Sequence, residues 1–246
     1  MKLFKKILVI VAVLLVGTYL VVAVTTLNRK PAEAGCRKLT LVIKDSVNAG
    51  FITQKEVLET LEQKGINPLS RPMSEINTRQ MEEILAQNPL IDHVECYKTH
   101  DGTVVVEAYQ RIPILRVMTA EESFYLDSKG TVMPTSTKCV AQLVVATGHI
   151  DQTFAVKTLY PFARFLQSDA FWRAQIEQIN VLRDHTVELV PRVGDHLIYM
   201  GTLTTYQHKL DRLKRFYTEG LNRVGWNRYS RISVDIPNQI VCTKKK

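Results

Sequence analysis

Cysteine and histidine are the residues of this chain with the readiest metal and redox chemistry, and their spacing supports neither. Cys36, Cys96, Cys139 and Cys242 include no C-x-x-C pair, so neither a zinc knuckle nor a thioredoxin-like dithiol has a frame. His93, His100, His149, His185, His196 and His208 contain no pair four residues apart, the spacing that aims two imidazoles from one helix face at a zinc ion. Nucleophile and phosphate motifs are missing too: no G-x-S-x-G, S-x-x-K, H-E-x-x-H, P-loop or G-x-G-x-x-G occurs. Asp127 near Lys129 has the composition of an acid–base pair, but with Gly130 it reads as a turn. The expectation is a chain without catalytic residues, metal or cofactor, whose work is binding.

The elements that would present a binding surface begin with an apolar run. Ile7–Leu27 is 21 uncharged residues, and as a helix it is about 30 Å long, the hydrocarbon thickness of a bilayer. The tail before it, residues 1–6, is too short to hold a domain, so a cytoplasmic N-terminus and an exported remainder are expected. A cleaved signal peptide, cut after Ala32-Glu33-Ala34, is the rival reading. Asn28-Arg29-Lys30-Pro31 separates that site from the apolar core, and the run exceeds the roughly 7–15 residues of a signal core, which favours an anchor.

The formal net charge of +8 is concentrated at the ends, in Lys2, Lys5 and Lys6 and in Lys244, Lys245 and Lys246. No basic stretch is interleaved with aromatics, so nucleic acid is not an expected partner. An exported location permits disulfides, yet spacing assigns none, and Cys96 and Cys139 read as small apolar strand residues.

After a linker at 28–37, Leu39, Leu41 and Ile43 alternate with polar residues as a half-buried strand does. Asn48-Ala49-Gly50 breaks it. Thr53-Gln54-Lys55-Glu56 is a capping box flanked by a staple of Ile52 and Val57, and Gly65 supplies a stop. A second helix opens at Asn77, carries Met81, Ile84 and Leu85 on one face, and ends at Asn88-Pro89. Asp101-Gly102 between two apolar stretches predicts a two-residue hairpin.

This strand–helix–helix–strand–strand order over 38–112 resembles a POTRA domain. NPLIDHVECYKTHDGTVVVEAYQRIPI is similar to the second half of that domain in the FtsQ/DivIB family of bacterial division proteins. Pro89, Val94, Val104–Val106, Arg111 and Pro113 stand where that family has a helix-ending Pro, an apolar strand pair, and a charged residue before a Pro.

Residues 113–243 read as strands around two helical stretches. SFYLDSKGTVMP is a hairpin turning at Asp127 and Gly130, and AQLVVATGHI is a strand closed by Gly148. In Thr153–Ser168 an apolar face suits a helix, but Pro161 fits badly and predicts a bend or a late start. Ile176–Leu182, Val187–Val190 and Leu197–Met200 are short strands. Thr204-Thr205-Tyr206-Gln207 reads as a second capping box, opening a helix with Tyr206, Leu210, Leu213, Tyr217 and Leu221 on one side. Lys209, Arg212, Lys214 and Arg215 read as its solvated face. Ile232, Val234 and Ile236 form a last alternating strand. Met200-Gly201, the helix and this strand are similar to the β domain of the same family. The fold class is α+β: one N-terminal transmembrane helix, a POTRA domain, and a mostly antiparallel β domain with helices, closed by a basic tail at 244–246.

The resemblance implies a non-catalytic divisome scaffold of the bacterial inner membrane, with periplasmic domains at the division septum. It would bind FtsB-like and FtsL-like proteins, with FtsK-, FtsW- and FtsI-like proteins as further partners, and link the division ring to septal wall synthesis. It places partner pairing on the segment Asp235–Thr243, at Asp235, Asn238, Ile240, Val241 and Cys242, with Arg183 meeting an acidic partner residue. POTRA domains commonly leave the strand equivalent to His93–Thr99 at a sheet edge, which makes His93, Glu95 and Tyr97 a second candidate surface. A solvated edge blunted by charge is the alternative there, and a frayed tail at Gln239–Lys246 is the alternative at the C-terminus. Two other functions remain in view. A POTRA chaperone of outer-membrane assembly or secretion calls for repeated domains or a membrane barrel, and a periplasmic wall enzyme calls for activity on wall polymer.

Overall fold

In the computed structural model, residues 2–27, 35–44, 50–135 and 143–245 are described, apart from the side chains of 2–10 and 25–27. Cys139, Asn48-Ala49, Ala32-Glu33-Ala34 and most of the linker lie outside the described residues. The first element, α1 (Lys2–Leu27), is a single helix. Val13, Leu14, Leu15, Val16, Tyr19 and Leu20 on it are each more than half exposed. Among the described residues no helix is long and apolar enough to cross a membrane. The described side chains of α1 cover only 11–24, shorter than the roughly 20 residues of a span, so the expected anchor lies partly outside them.

Next comes a small three-stranded sheet. It contains β1 (Lys38–Lys44), β2 (Ile91–Lys98) and β3 (Thr103–Gln110) in the order β1-β3-β2, with α2 (Gln54–Gln63) and α3 (Thr78–Leu85) packed on it. β1 runs parallel to β3 and β2 antiparallel, as a β-α-α-β-β chain requires. Thr53 and Glu56 satisfy each other's backbone amides at the start of α2, a box that contributes about 1 kcal/mol. Ile52 and Val57 are buried in one core with Phe51, Leu61, Met81, Leu85, Val104 and Val106. Asn77 caps α3 through the Gln80 amide. The β2–β3 connection corrects the sequence reading. It has three residues, His100–Gly102, because Thr99 N–H bonds Thr103 O and Gly102 alone takes the left-handed conformation (φ +83°).

The second sheet has nine strands: β4 (Pro113–Met118), β5 (Ser123–Asp127), β6 (Val132–Pro134), β7 (Val144–Gly148), β8 (Ile176–Val181), β9 (Val187–Pro191), β10 (Leu197–Gly201), β11 (Tyr229–Ser233) and β12 (Val241–Lys244). Their order is β12-β11-β10-β9-β8-β7-β4-β5-β6. This sheet is mixed rather than simply antiparallel, since β4/β7, β7/β8 and β10/β11 run parallel. Parallel neighbours need long crossovers. The helices α4 (Gln152–Phe154), α5 (Tyr160–Ser168) and α6 (Ala170–Gln175) connect β7 to β8, α7 (Tyr206–Arg215) and α8 (Asn222–Val224) connect β10 to β11, and the chain between β4 and β7 includes β5 and β6. Leu159, Phe162, Leu166, Leu210, Leu213 and Tyr217 from these crossovers join Leu189, Ile198, Met200 and Ile232 from the strands in one core.

Helix details depart from expectation in three places. The first crossover starts on time, with Asp151 accepting from Phe154 N–H, and a π-helical turn (Ala155–Leu159) precedes Pro161 instead of a late start. Tyr160 N–H bonds Ala155 O, five residues back, so the next position is one where an imino acid costs little. α6, which the sequence reading missed, is capped by Asp169. The second capping box does not form: the cap position is Thr205 in the left-handed region with no side-chain bond, while the Thr204 hydroxyl pairs with Thr202 at 2.8 Å.

Polar and aromatic contacts join the two sheets. Arg111, just past β3, pairs with the buried Asp127 at 2.8 Å, and Lys129 reaches Asp92 on β2 at 2.7 Å. Asp127 also accepts from the amides of Lys129 and Thr131, so it serves the turn as expected. The Lys129 ammonium, helped by His93 and Arg111 and opposed by partial burial, holds the Asp92 carboxyl below its ordinary range. Tyr125 stands edge-on to Phe51, with ring centroids 5.9 Å apart.

Candidate partner-binding edge

β12 is the outermost strand of the large sheet and pairs on one side only, antiparallel to β11, with Ile232 opposite Cys242 and Ser233 opposite Val241. Val241–Lys244, within the expected frayed tail, are therefore laddered. The expected third apolar residue, Ile236, is exposed, because β11 ends at Ser233 and the chain turns through Ile236–Gln239 with Asn238 at φ +61°.

The direction of the β12 amides follows from its neighbours. Lys245 N–H donates to Arg228 O at 3.1 Å, so two-residue alternation turns the amides of Val241 and Thr243 toward β11 as well. Those of Cys242 and Lys244 face outward. Among the described residues, no side chain caps them. Val241 is exposed, whereas Ile240 and Cys242 are half-buried against the core. Burial raises the Cys242 thiol above its ordinary pKa, so it is a packing residue rather than a nucleophile.

Asp235 lies before the turn and its carboxylate is engaged within the chain, 3.0 Å from the Lys209 ammonium. Asn238 is at the tip of the turn. Arg183 is exposed in the β8–β9 turn, at the same end of the sheet as Val241. Three to four strand spacings separate it from β12, about 14–19 Å. The structure thus gathers Ile240, Val241 and Cys242 at one edge, with Asn238 at its approach, and leaves Arg183 apart.

The second candidate surface is also at an edge, since β2 is outermost in its sheet. His93 stacks on Tyr109 with centroids 3.9 Å apart, and the Tyr97 hydroxyl donates to Glu107 at 3.1 Å. Glu95 faces Glu107 across the ladder. The outward amide of Cys96 is occupied: the Glu82 carboxylate of α3 accepts from it at 2.6 Å. Burial, and then the Glu82 charge, pushes the Cys96 thiol up to about 12.

Sequence reasoning missed Glu82, Lys209 and Arg212. Glu82 gave no signal, since its role depends on how α3 lies on β2. Lys209 did give one: it stands three residues after Tyr206 and four before Leu213, inside the apolar stripe. It is only 6 % exposed and donates to Met200 O, Thr202 O and Asp235 Oδ1. Arg212 donates to Val234 O at 2.7 Å, and Lys214 lies near Asp169 and over Phe171. The basic run expected to be solvated is therefore largely tied to the protein, and Arg215 alone of the four is exposed.

Among the described residues no group of three or more histidines, cysteines or carboxylates is placed to hold a metal ion. Comparison with known proteins fits the two-sheet architecture. Residues 34–109 match a POTRA-like domain. No individual curated protein matches the chain. Residues 112–243, more than half of the chain, match the family described as FtsQ/DivIB, C-terminal related, and the chain belongs to that family.

Proposed function

We propose that this chain is a non-catalytic scaffold of bacterial cell division, anchored by α1 in the inner membrane with its sheets in the periplasm. β12 receives a strand from an FtsB-like partner that arrives with an FtsL-like protein. The observation that carries this reading is the bare edge of β12, whose outward amides at Cys242 and Lys244 have no side-chain cap among the described residues. An extended segment pairing there satisfies them and sets its side chains against Val241 and Ile236. The exposed apolar side chains of α1 support the anchor, since leucines and valines with no packing partner favour a lipid environment. FtsK-, FtsW- and FtsI-like proteins belong to the same assembly in this reading, which links the division ring to septal wall synthesis. Arg183 serves it as a separate contact for an acidic residue, reached only by a partner that continues past β12.

Proline distinguishes the two sides of the edge strand. Cys242→Pro removes an outward amide and leaves the bonds to β11, whereas Thr243→Pro removes an inward one. Cys242→Pro is expected to abolish co-purification of the FtsB-like partner and midcell fluorescence of a tagged chain, while lowering the melting temperature less than Thr243→Pro does. Wild-type recovery of the partner by that variant would refute strand addition at β12.

A further inference from the structure

The segment that delivers the chain to β12 is gripped from the side by α7. Lys209 is almost wholly buried, and its three protons meet three acceptors: Met200 O at 2.8 Å, Thr202 O at 2.9 Å and Asp235 Oδ1 at 3.0 Å. One helical turn on, Arg212 holds Val234 O at 2.7 Å, while Val234 N–H bonds Tyr199 O at 3.0 Å. Gly201 completes the seat. It takes φ +64°, and a Cβ there would lie 2.0 Å from Asp235 Oδ1, so the carboxylate occupies the space that the missing side chain leaves. A buried ammonium is unfavourable unless all its protons are bonded, and an apolar side chain would fill the same volume more simply. What the lysine adds is a fixed relation between the end of β10, the end of β11 and the start of α7.

From Asp235 only Ile236–Ile240 separate the chain from Val241, the first residue of β12. Fixing Asp235 therefore fixes where the turn starts and which residues of β12 meet β11. We propose that Lys209 and Asp235 form a latch that positions β12, setting the register in which the amides of Cys242 and Lys244 are presented. Asp235 is a positioning residue that acts through Lys209 and does not itself contact a partner. The value of that register to a partner rests on the reading of β12 as a docking edge, but the latch is testable without one.

Cys242 reports on the latch. In the purified full-length chain, alkylation by N-ethylmaleimide is followed peptide by peptide by mass spectrometry, with amide exchange measured in parallel. Lys209→Met is expected to speed alkylation of Cys242 and exchange over Val241–Lys244 about ten-fold, with Cys96 unchanged, because the opening is local. Asp235→Asn keeps the acceptor oxygen, loses the charge, and is expected to give a smaller rise in the same residues. It also serves as the test if Lys209→Met does not fold. Unchanged Cys242 reactivity and β12 exchange in the folded variants would overturn the latch. Co-purification of the FtsB-like protein separates the two ideas. Loosened β12 with undiminished partner binding would sink strand addition and leave the latch standing. An Asp235→Asn variant with wild-type β12 exchange but no partner would show Asp235 to be a contact residue and overturn its assignment here.

Discussion

The two sheets treat their free edges in opposite ways. In the three-stranded sheet each outer strand is met by a helix side chain: Glu82 of α3 accepts from the Cys96 amide of β2, and Gln54 of α2 donates to Leu41 O of β1. In the nine-stranded sheet, β12 has neighbours that fix its inner side and, among the described residues, no side chain over its outer amides. An uncapped edge is a template for any extended chain, and proteins ordinarily blunt it. The contrast teaches that edge position alone does not mark a docking surface. His93, Glu95 and Tyr97 lie on an edge strand whose backbone is partly occupied, which favours the blunted-edge alternative there. Ile240, Val241 and Cys242 lie beside one whose outer backbone is open.

The comparison depends first on the two sheets being held together, so its most damaging test is at the joint. Asp127, 1 % exposed, accepts from Arg111 and from two amides. Asp127→Ala leaves two amides without an acceptor and the Arg111 guanidinium with only its longer contact to Asp92, 3.8 Å away, and is expected to destabilise the chain by about 3 kcal/mol. Urea unfolding would show this, with a second transition as the sheets come apart.

A smaller effect would sharpen the contrast. Glu82→Ala uncaps β2 and leaves its Cys96 amide without an acceptor, at a cost of about 1–2 kcal/mol. Faster exchange at Cys96 and concentration-dependent dimers on a sizing column are expected, since β2 would become an open edge like β12. Monomers at every concentration would show that the cap is not what silences that edge.

Acid should act on the large sheet with the smallest effect of the three. His196 is buried with Nε2 2.6 Å from the Tyr217 hydroxyl, and the neighbouring Asp195 pairs with Lys245 just past β12. Burial and then the Lys245 charge lower the His196 pKa from 6.5, with Asp195 opposing. The unfolded chain therefore binds a proton that the folded one resists. Stability is full above about pH 6.5 and declines as pH falls through the window below it. A melting temperature that drops between pH 7.5 and 5.5 in wild type, and less in His196→Gln, is the expected outcome. Equal slopes would remove His196 from the account.

Local chemistry was legible where it closed on itself within a few residues. Thr53 pairs with Glu56 and Asp127 with Gly130 within one turn as read, and the helix expected to open at Asn77 does so, with Asn77 capping the Gln80 amide. Thr204 opens the same Thr-x-x-Glu/Gln pattern as Thr53, with Gln207 in place of the glutamate, but in a different setting. The buried Lys209 ammonium takes Thr202 O, the chain bends left-handed at Thr205, and the Thr204 hydroxyl pairs with Thr202 instead of a helix amide. Lysine and arginine on a helix are ordinarily solvated, and the carbonyls that hold Lys209 and Arg212 come from the end of β10 and from residues just past β10 and β11, whose approach to α7 is set by the fold. Pairing at Asp235–Thr243 was legible through the family resemblance, and the strand order, with β12 outside β11, gives the edge itself. The separation of Arg183 from it was not legible, because strand order and not sequence distance sets it.

The π-helical turn before Pro161 makes that helix a counted spacer. A π turn carries one residue more than the α turn it replaces. Deleting one residue from Ala155–Leu159 would restore the regular period and leave Phe162, Ala163 and Leu166, all now buried, on nearly the same side of the axis relative to Gln152–Phe154, because the π turn and the α turn it replaces each complete about one revolution. The same deletion would press the proline ring against a carbonyl in the preceding turn. Length at this point is thus fixed by an imino acid, in a crossover whose core-facing side chains would keep their direction if one residue were lost.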